Sequence, residues 1–403
     1  MVKKSILLLI VLLCGYFLWI AFWPSNEAEY MRRFVAWNES DILDHEKFPF
    51  IEIENEGPVW TLPVAETEVE LNPISYTIKG KKLTQDINQL NDTLQTTSFI
   101  IIRNDTVIFE KYYNGYERNT ISTSFSDSKS FTSVLVGLAL DKGFIGSLED
   151  KVTDYLPEYR PNGFHHLTIR DLLVMASGID YRTTKKPLIG NQALWWDHNP
   201  RVYYYPDLRE LIKNEAIADT TIINDYYFYN DYHPVLLGLI LEKATGKSPA
   251  KLMEEWVWKP SGMEFPASWS IDSEKSGVVK MESGLNARSI DFARFGLMVL
   301  HDGYRDSTEI ISTDWLKLST LEDPNDNRPW GSTPEKKAMG VYYKYMWWGE
   351  NRADAPDYFM ASGHLGQYIV IFPEKNLVIV RNGKSRSGVD WWPDIFVQIA
   401  QQL

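Results

Sequence analysis

The chain has 403 residues, a formal net charge of −13 and a single cysteine, with 44% hydrophobic and 24% charged residues. These are the proportions of a folded globular protein; they exclude a disordered, collagen-like or multi-span membrane chain, and one cysteine excludes a disulfide scaffold or a Cys-based zinc site. The acidic balance argues against a nucleic-acid partner, which requires a basic footprint.

Lys3 and Lys4 precede an apolar run from Ser5 to Trp23 that stops at Pro24. Its length suits a bilayer span of about 17–25 residues, and the lysines keep the N-terminal end inside, so the body is expected to be exported. Residues 1–24 are read as a membrane anchor, with a cleaved signal peptide as the alternative, since no small-x-small site precedes Pro24. Cys14 follows Leu13 rather than a small residue, which argues against lipidation.

Residues 25–94 carry Pro49, Pro58, Pro63 and Pro73 and are read as an irregular arm. The β-rich runs Ser98–Arg103 and Thr106–Tyr113 flank Asn104-Asp105, which predicts a hairpin. Ser130 to Lys142 is apolar or small nearly all round, the pattern of a buried helix, and Gly143 stops it. Thr168-Ile-Arg-Asp171 reads as a capping box opening a short helix that ends at Gly178. Further helices are expected over Asp231–Ala244, closed by Gly246, and over Ser289–His301, closed by Gly303. Strands return at Gln367–Phe372 and Asn376–Arg381, and a last helix is expected over Trp392–Leu403. The expected fold is α/β (α+β): an antiparallel sheet from about 95–125 and 290–403, flanked by helices, with an all-helical subdomain inserted over about 145–285.

Three short motifs carry chemistry. Ser126-Asp-Ser-Lys129 places a serine and a lysine on one face of a helical turn. A desolvated lysine there can lose its proton and activate the serine, and a serine at a helix start is favoured to stabilise an oxyanion. The pattern alone is weak, and a second copy, Ser248-Pro-Ala-Lys251, reads as a plain N-cap because Pro249 sits at the first helical position. What sets Ser126 apart is the wholly apolar helix after it, which puts its first turn inside the protein. Tyr229-Asn-Asp231, just before a buried helix, offers a phenol as proton shuttle if a nearby cation lowers its pKa, although Asp231 also reads as an N-cap. Gly363-His-Leu-Gly-Gln367 offers two glycines at a strand edge, where backbone can approach a ligand. Gly246-Lys-Ser248 is not a phosphate loop, since Leu241 stands where a glycine is needed. The seven histidines show no metal-binding spacing, so no metal and no cofactor is expected.

Taken together and in this order, the motifs resemble the serine β-lactamase and penicillin-binding superfamily. The likeness is greatest to its class C-like branch of esterases, D-aminopeptidases and 6-aminohexanoate-dimer hydrolases. It extends over about residues 95–400 and includes Leu172-Leu-Val-Met-Ala-Ser-Gly178, Leu236-Leu-Gly238, Ala244-Thr-Gly246 and Ser283-Gly-Leu285. The resemblance implies a β-lactamase/transpeptidase-like fold with Ser126 as nucleophile, Lys129 as its base partner and Tyr229 as proton relay to the leaving group. It also implies an oxyanion hole made of the Ser126 N–H and one N–H from Gly363, His364, Leu365, Gly366 or Gln367. Two departures stand out. Asp231 replaces the family's asparagine and brings a negative charge, and His364 or Leu365 replaces the lysine that helps hold an antibiotic's carboxylate. The second argues against efficient β-lactam hydrolysis and points to esters or amides without a carboxylate requirement.

The expected function is therefore a serine hydrolase acting on a small ester or amide. D-Ala-D-Ala carboxypeptidase or β-lactamase activity is the alternative, and a non-catalytic membrane-tethered binding protein of the same fold is a further one. Of the tryptophan pairs, Trp195-Trp196, in a loop-like stretch, is the best candidate to line a cleft. The sequence leaves the oligomeric state open.

Overall fold

The computed structural model describes Gly15 and residues 22–179, 198–215, 217 and 220–403. The expected anchor therefore lies outside the described residues apart from Gly15, Phe22 and Trp23, as do Cys14, Trp195 and Trp196. Among the described residues no helix is long and apolar enough to cross a membrane.

The stretch read as an irregular arm is ordered. Ser25 caps a helix, Asn26–Trp37, by accepting from the Ala28 N–H. Strand β1 (Phe50–Ile53) follows, then the hairpin β2 (Ile74–Ile78) and β3 (Lys81–Gln85), and a helix over Ile87–Thr93 capped by Asp86. All four prolines fall between these elements. Local pattern missed β1 because its partner is more than two hundred residues away: it pairs antiparallel with the strand Ala267–Ser270, Phe50 opposite Ser270.

β4 (Thr96–Arg103) and β5 (Thr106–Tyr112) form the expected hairpin. Asn104 and Asp105 both adopt positive φ, 47° and 61°, the turn whose twist matches its strands. After β6 (Ile121–Thr123) comes the buried helix, Ser128–Asp141. The Thr168 capping box is present, but its helix ends at Leu173. Among the described residues, the helices of the central stretch run as far as Trp258, and the chain then departs from the all-helical expectation. β7 (Ala267–Ser270) and β8 (Leu285–Arg288) join β1 and β6 in a second sheet, ordered β1-β7-β8-β6. Ser248 indeed caps its helix, accepting from the Lys251 N–H at 3.3 Å.

The small hairpin β9 (Tyr304–Arg305) and β10 (Thr308–Glu309) leads into the C-terminal strands. These are β11 (Val341–Lys344), β12 (Trp347–Glu350), β13 (Tyr358–Gly363), β14 (Gln367–Phe372) and β15 (Leu377–Gly383). With β4 and β5 they build a seven-stranded antiparallel sheet, ordered β11-β12-β13-β14-β15-β4-β5. The two ends of the catalytic body thus meet at β15 and β4, where Ile379 faces Ile101. Helix Ser289–Leu300 lies on one face at Ile369 and Val378, close enough that a Cβ on Gly296 would meet Val378 at 2.7 Å. Helix Pro393–Gln402 covers the other face, Phe396 against Tyr368 at 5.3 Å; adjacent residues of a strand point to opposite faces. The buried helix Ser128–Asp141 joins this core through Phe131, stacked on Phe295 at 3.7 Å. Each fully buried side chain of this size stabilises by about 1.5–3 kcal/mol, so the helix that carries the first motif is fixed by the core rather than by its own propensity.

Candidate active site

Ser126 occupies a 3-10 turn, Phe125–Asp127, that runs into helix Ser128–Asp141. The turn is stitched to β8: Ser124 N–H donates to Leu285 O, and Leu285 N–H to Ser128 Oγ. Phe125 has φ 47°, a conformation that bulky residues adopt only under constraint. The constraint is aromatic: its ring meets His364 edge-on at 5.5 Å and stacks on Tyr203 at 6.4 Å.

The Lys129 ammonium is buried and has three polar partners. Nζ donates to Ser126 Oγ at 2.9 Å and to the Glu282 carbonyl at 2.9 Å, and pairs with Asp231 Oδ1 at 2.8 Å. It also lies 4.9 Å from the centre of the Tyr229 ring. Burial alone would make Lys129 lose its proton, but the charge and hydrogen bond of Asp231, with Tyr229, outweigh it and hold the lysine above its ordinary value. The desolvated, deprotonated lysine that the sequence suggests is therefore not its resting form. Asp231 is the reason, and its side chain makes no capping bond. Asn230 Oδ1 instead accepts from the Tyr232 N–H at 2.6 Å.

The Tyr229 hydroxyl faces Ser126 and Lys129, both of which act to lower its pKa. Its backbone is pinned by Ser332 Oγ, 2.8 Å from its N–H, and its ring packs against Trp348 at 5.6 Å and Tyr343 at 5.9 Å. Burial raises the phenol's pKa, and the Lys129 ammonium pulls it back.

The third motif forms the opposite edge of the site. Gly363, at the end of β13, abuts Ser124 and Asp127 so closely that a Cβ would collide with the Ser124 carbonyl oxygen. His364 is exposed, and Leu365 and Gly366 turn the chain with φ 60° and 85°. Gln367 faces no open space. Its Nε2 donates to His364 O at 3.1 Å and Gly383 O at 2.8 Å, and its Oε1 accepts from Asn382 Nδ2 and Gly383 N–H. The Gln367 side chain thus fastens the turn.

Several residues that the motifs did not flag complete the site. Arg381, fully buried on the Trp392 ring, donates to Gly366 O at 2.5 Å and Leu94 O at 2.9 Å. Behind Lys129, Glu282 pairs with buried Lys280 at 2.7 Å, and Lys280 also donates to Tyr203 O. Tyr203 Oη donates to Asp44 of the arm at 2.7 Å, so the arm supports the ring that supports Phe125. Of the tryptophan pairs within the described residues, Trp348 faces Tyr229, whereas Trp347 is core against Phe295 and Phe359.

Comparison with known proteins agrees with this layout. The chain is 23% identical over 328 residues to the 6-aminohexanoate-dimer hydrolase of Paenarthrobacter ureafaciens, covering 77% of this chain and 76% of that one. A solved Bacillus anthracis protein, provisionally assigned as a 6-aminohexanoate-dimer hydrolase, superposes with a TM-score of 0.74 at 21% identity over 95% of both chains. The octameric penicillin-binding protein homologue from Pyrococcus abyssi superposes with a TM-score of 0.56 at 21% identity, over 78% of this chain and 75% of that one. The family model described as Beta-lactamase matches residues 83–390, well over half of the chain. The chain belongs to the Beta-lactamase family and is a β-lactamase-like serine hydrolase.

Proposed function

We propose that the protein cleaves a carboxylic ester or a linear amide through an acyl-enzyme on Ser126. The observation that carries this reading is the cluster in which Lys129 Nζ reaches both Ser126 Oγ and Asp231 and lies 4.9 Å from the centre of the Tyr229 ring.

Ser126 Oγ attacks the carbonyl carbon. Tyr229 accepts the Ser126 proton as it passes its own to the leaving oxygen or nitrogen, so no free phenolate need accumulate. Lys129, kept as an ammonium, offsets the negative charge that builds on the phenol oxygen and holds Ser126 in line. The tetrahedral oxyanion is taken by the Ser126 N–H and a second N–H; the approach of Gly363 to Ser124 favours that of His364. Each such donor is typically worth about 3–4 kcal/mol of barrier. Water then enters along the same route and releases the acid. The relatives named for the 6-aminohexanoate dimer support the amide side of the reading, and the intact cluster speaks against a non-catalytic role.

The test is Ser126→Ala, assayed on p-nitrophenyl butyrate. Turnover should fall by about 10⁴-fold or more, and a fluorophosphonate probe should label the wild type at Ser126 and not the variant; wild-type turnover by the variant would sink the assignment. The run Ser5–Trp23 supports an exported, membrane-tethered body. Fractionation of the full chain against one lacking that run tests this: both soluble would overturn it.

A further inference from the structure

We propose that Ser332 is a positioning residue for Tyr229. The connection that carries it, between helix Thr313–Thr320 and β11, then sets how well the enzyme cleaves substrates whose leaving groups need a proton. The inference rests on the hydrolase reading above, in which Tyr229 protonates the leaving group.

The three reacting groups are not held alike. Ser126 and Lys129 ride on the turn and helix that the core fixes through Phe131 and Phe295. Tyr229 lies outside any helix or strand, between the short turn Thr220–Ile222 and helix Tyr232–Thr245. Backbone in such a segment must find its hydrogen bonds in other parts of the chain, and here it finds them on two flanks. On one flank Asn224 N–H donates to Ala176 O and Phe228 N–H to Met175 O, both at 2.8 Å. On the other, Tyr227 N–H donates to Pro329 O at 3.1 Å, Gly331 N–H to Tyr227 O at 2.8 Å and Tyr229 N–H to Ser332 Oγ at 2.8 Å.

The last of these bonds differs from the other four. They join main-chain groups, whereas this one is made by a side chain, and to the amide of the reacting residue itself. The same connection also steadies the ring end of Tyr229. Trp330 packs on Tyr227 with ring centres 4.3 Å apart. The Lys336 ammonium lies 4.0 Å from the centre of Trp348, and Trp348 packs on Tyr229 at 5.6 Å. Local features set the shape of the connection: Thr333 has φ 48°, Pro334 opens the short helix Pro334–Ala338, and Lys337 Nζ donates back to Arg328 O.

A phenol held in this way delivers its proton along one line. Leaving groups differ in how much they need it: p-nitrophenolate departs as a stable anion, whereas ethoxide must be protonated as the bond breaks. Loosening Tyr229 therefore penalises the second kind selectively. General acid–base catalysis contributes about 10²–10⁴-fold, and a misplacement of about 1 Å forfeits much of such an effect. A loss of folded protein would instead lower the rate on both kinds by one factor.

The experiment compares kcat/KM, which reports transition-state stabilisation in acylation, on p-nitrophenyl butyrate and ethyl butyrate. Ser332→Ala should lose at least about tenfold more on the ethyl ester than on the p-nitrophenyl ester. Ser332→Thr keeps the hydroxyl and should restore the wild-type ratio of the two. Trp330→Ala, which frees the neighbouring ring, should move the ratio in the same direction as Ser332→Ala. A ratio unchanged in Ser332→Ala overturns the proposal, and so does an equal loss on both esters. Hydrogen exchange of residues 224–231, read by mass spectrometry, separates this inference from the hydrolase reading. Protection should fall in Ser332→Ala and return in Ser332→Thr, and unchanged protection overturns the clamp. A wild type that turns over neither ester sinks the hydrolase reading, and exchange then decides alone whether Ser332 holds Tyr229.

Discussion

The two sides of Ser126 are built on opposite principles. On the side of Lys129, Tyr229 and Asp231, each charge has its counterpart within hydrogen-bond distance and the geometry is closed. On the side of the Gly363–Gln367 turn, the backbone is locked from behind by Gln367 and Arg381, and Arg386 donates to the Gly363 carbonyl at 3.3 Å. The difference separates proton transfer from positioning. A paired cluster can move a proton without reorganising, whereas a turn fixed by hydrogen bonds holds its backbone donors in one place.

Asp231→Asn should break the closed side most severely. With the counter-charge gone, burial dominates and the Lys129 pKa drops below lysine's ordinary 10.5. In the wild type the raised folded-state pKa means that this pair's stabilisation persists throughout the range below 10.5. In the variant the sign reverses, and stability should rise with pH toward 10.5 and fall on acidification, by up to about 3–5 kcal/mol where the lysine is forced to be charged and unpaired. Melting temperatures from pH 6 to 10 read this directly; parallel curves for the two proteins would mean that Asp231 does not hold the lysine charged.

Gly363→Ala tests the side of the turn. The new Cβ would have to push β13 away from the Ser124 carbonyl, and a misplacement of about 1 Å near the reacting atoms costs on the order of 10²-fold in rate. The loss should fall on kcat, with far-ultraviolet circular dichroism unchanged; wild-type kcat would show that the turn takes no part in the reaction.

Asp127→Asn probes the seam between the sides and should have the smallest effect. Asp127 is fully buried and neither oxygen has a hydrogen-bond partner among the described residues; burial raises its pKa far above 3.8 despite Arg386 and Lys129. Folding at neutral pH therefore takes up a proton, a cost absent below 3.8 that grows as pH rises. The variant should match the wild type near pH 4 and melt a few degrees higher near pH 8, as scanning calorimetry would reveal. A variant that melts lower at pH 8 would contradict a protonated Asp127.

What the sequence disclosed was local. The hairpin at Asn104-Asp105, the apolar helix after Ser126 and the order of Ser126, Tyr229 and His364 are set by residues adjacent in the chain, so periodicity and spacing reveal them. The partner of β1 and the choice of Asp231 between capping its helix and pairing with Lys129 depend on segments brought together only by the fold. Gln367 illustrates the limit within a motif. Its position was legible, but the direction of its side chain, into the turn, depends on Asn382 and Gly383 of the neighbouring strand.

The relation between Asp44, Tyr203 and Phe125 bears on how the enzyme can be handled and how it could have diversified. The stretch that the family model matches, residues 83–390, leaves out Asp44, the hydrogen-bond partner of Tyr203, and the final helix, whose Phe396 covers the sheet. The span that defines the family and the working unit are thus different in size. A chimera or trimmed gene cut at the homology boundaries would keep every motif residue yet leave the ring beneath the nucleophile unbraced, so swapping the first eighty residues between relatives is a route to altered turnover that leaves the reactive groups untouched.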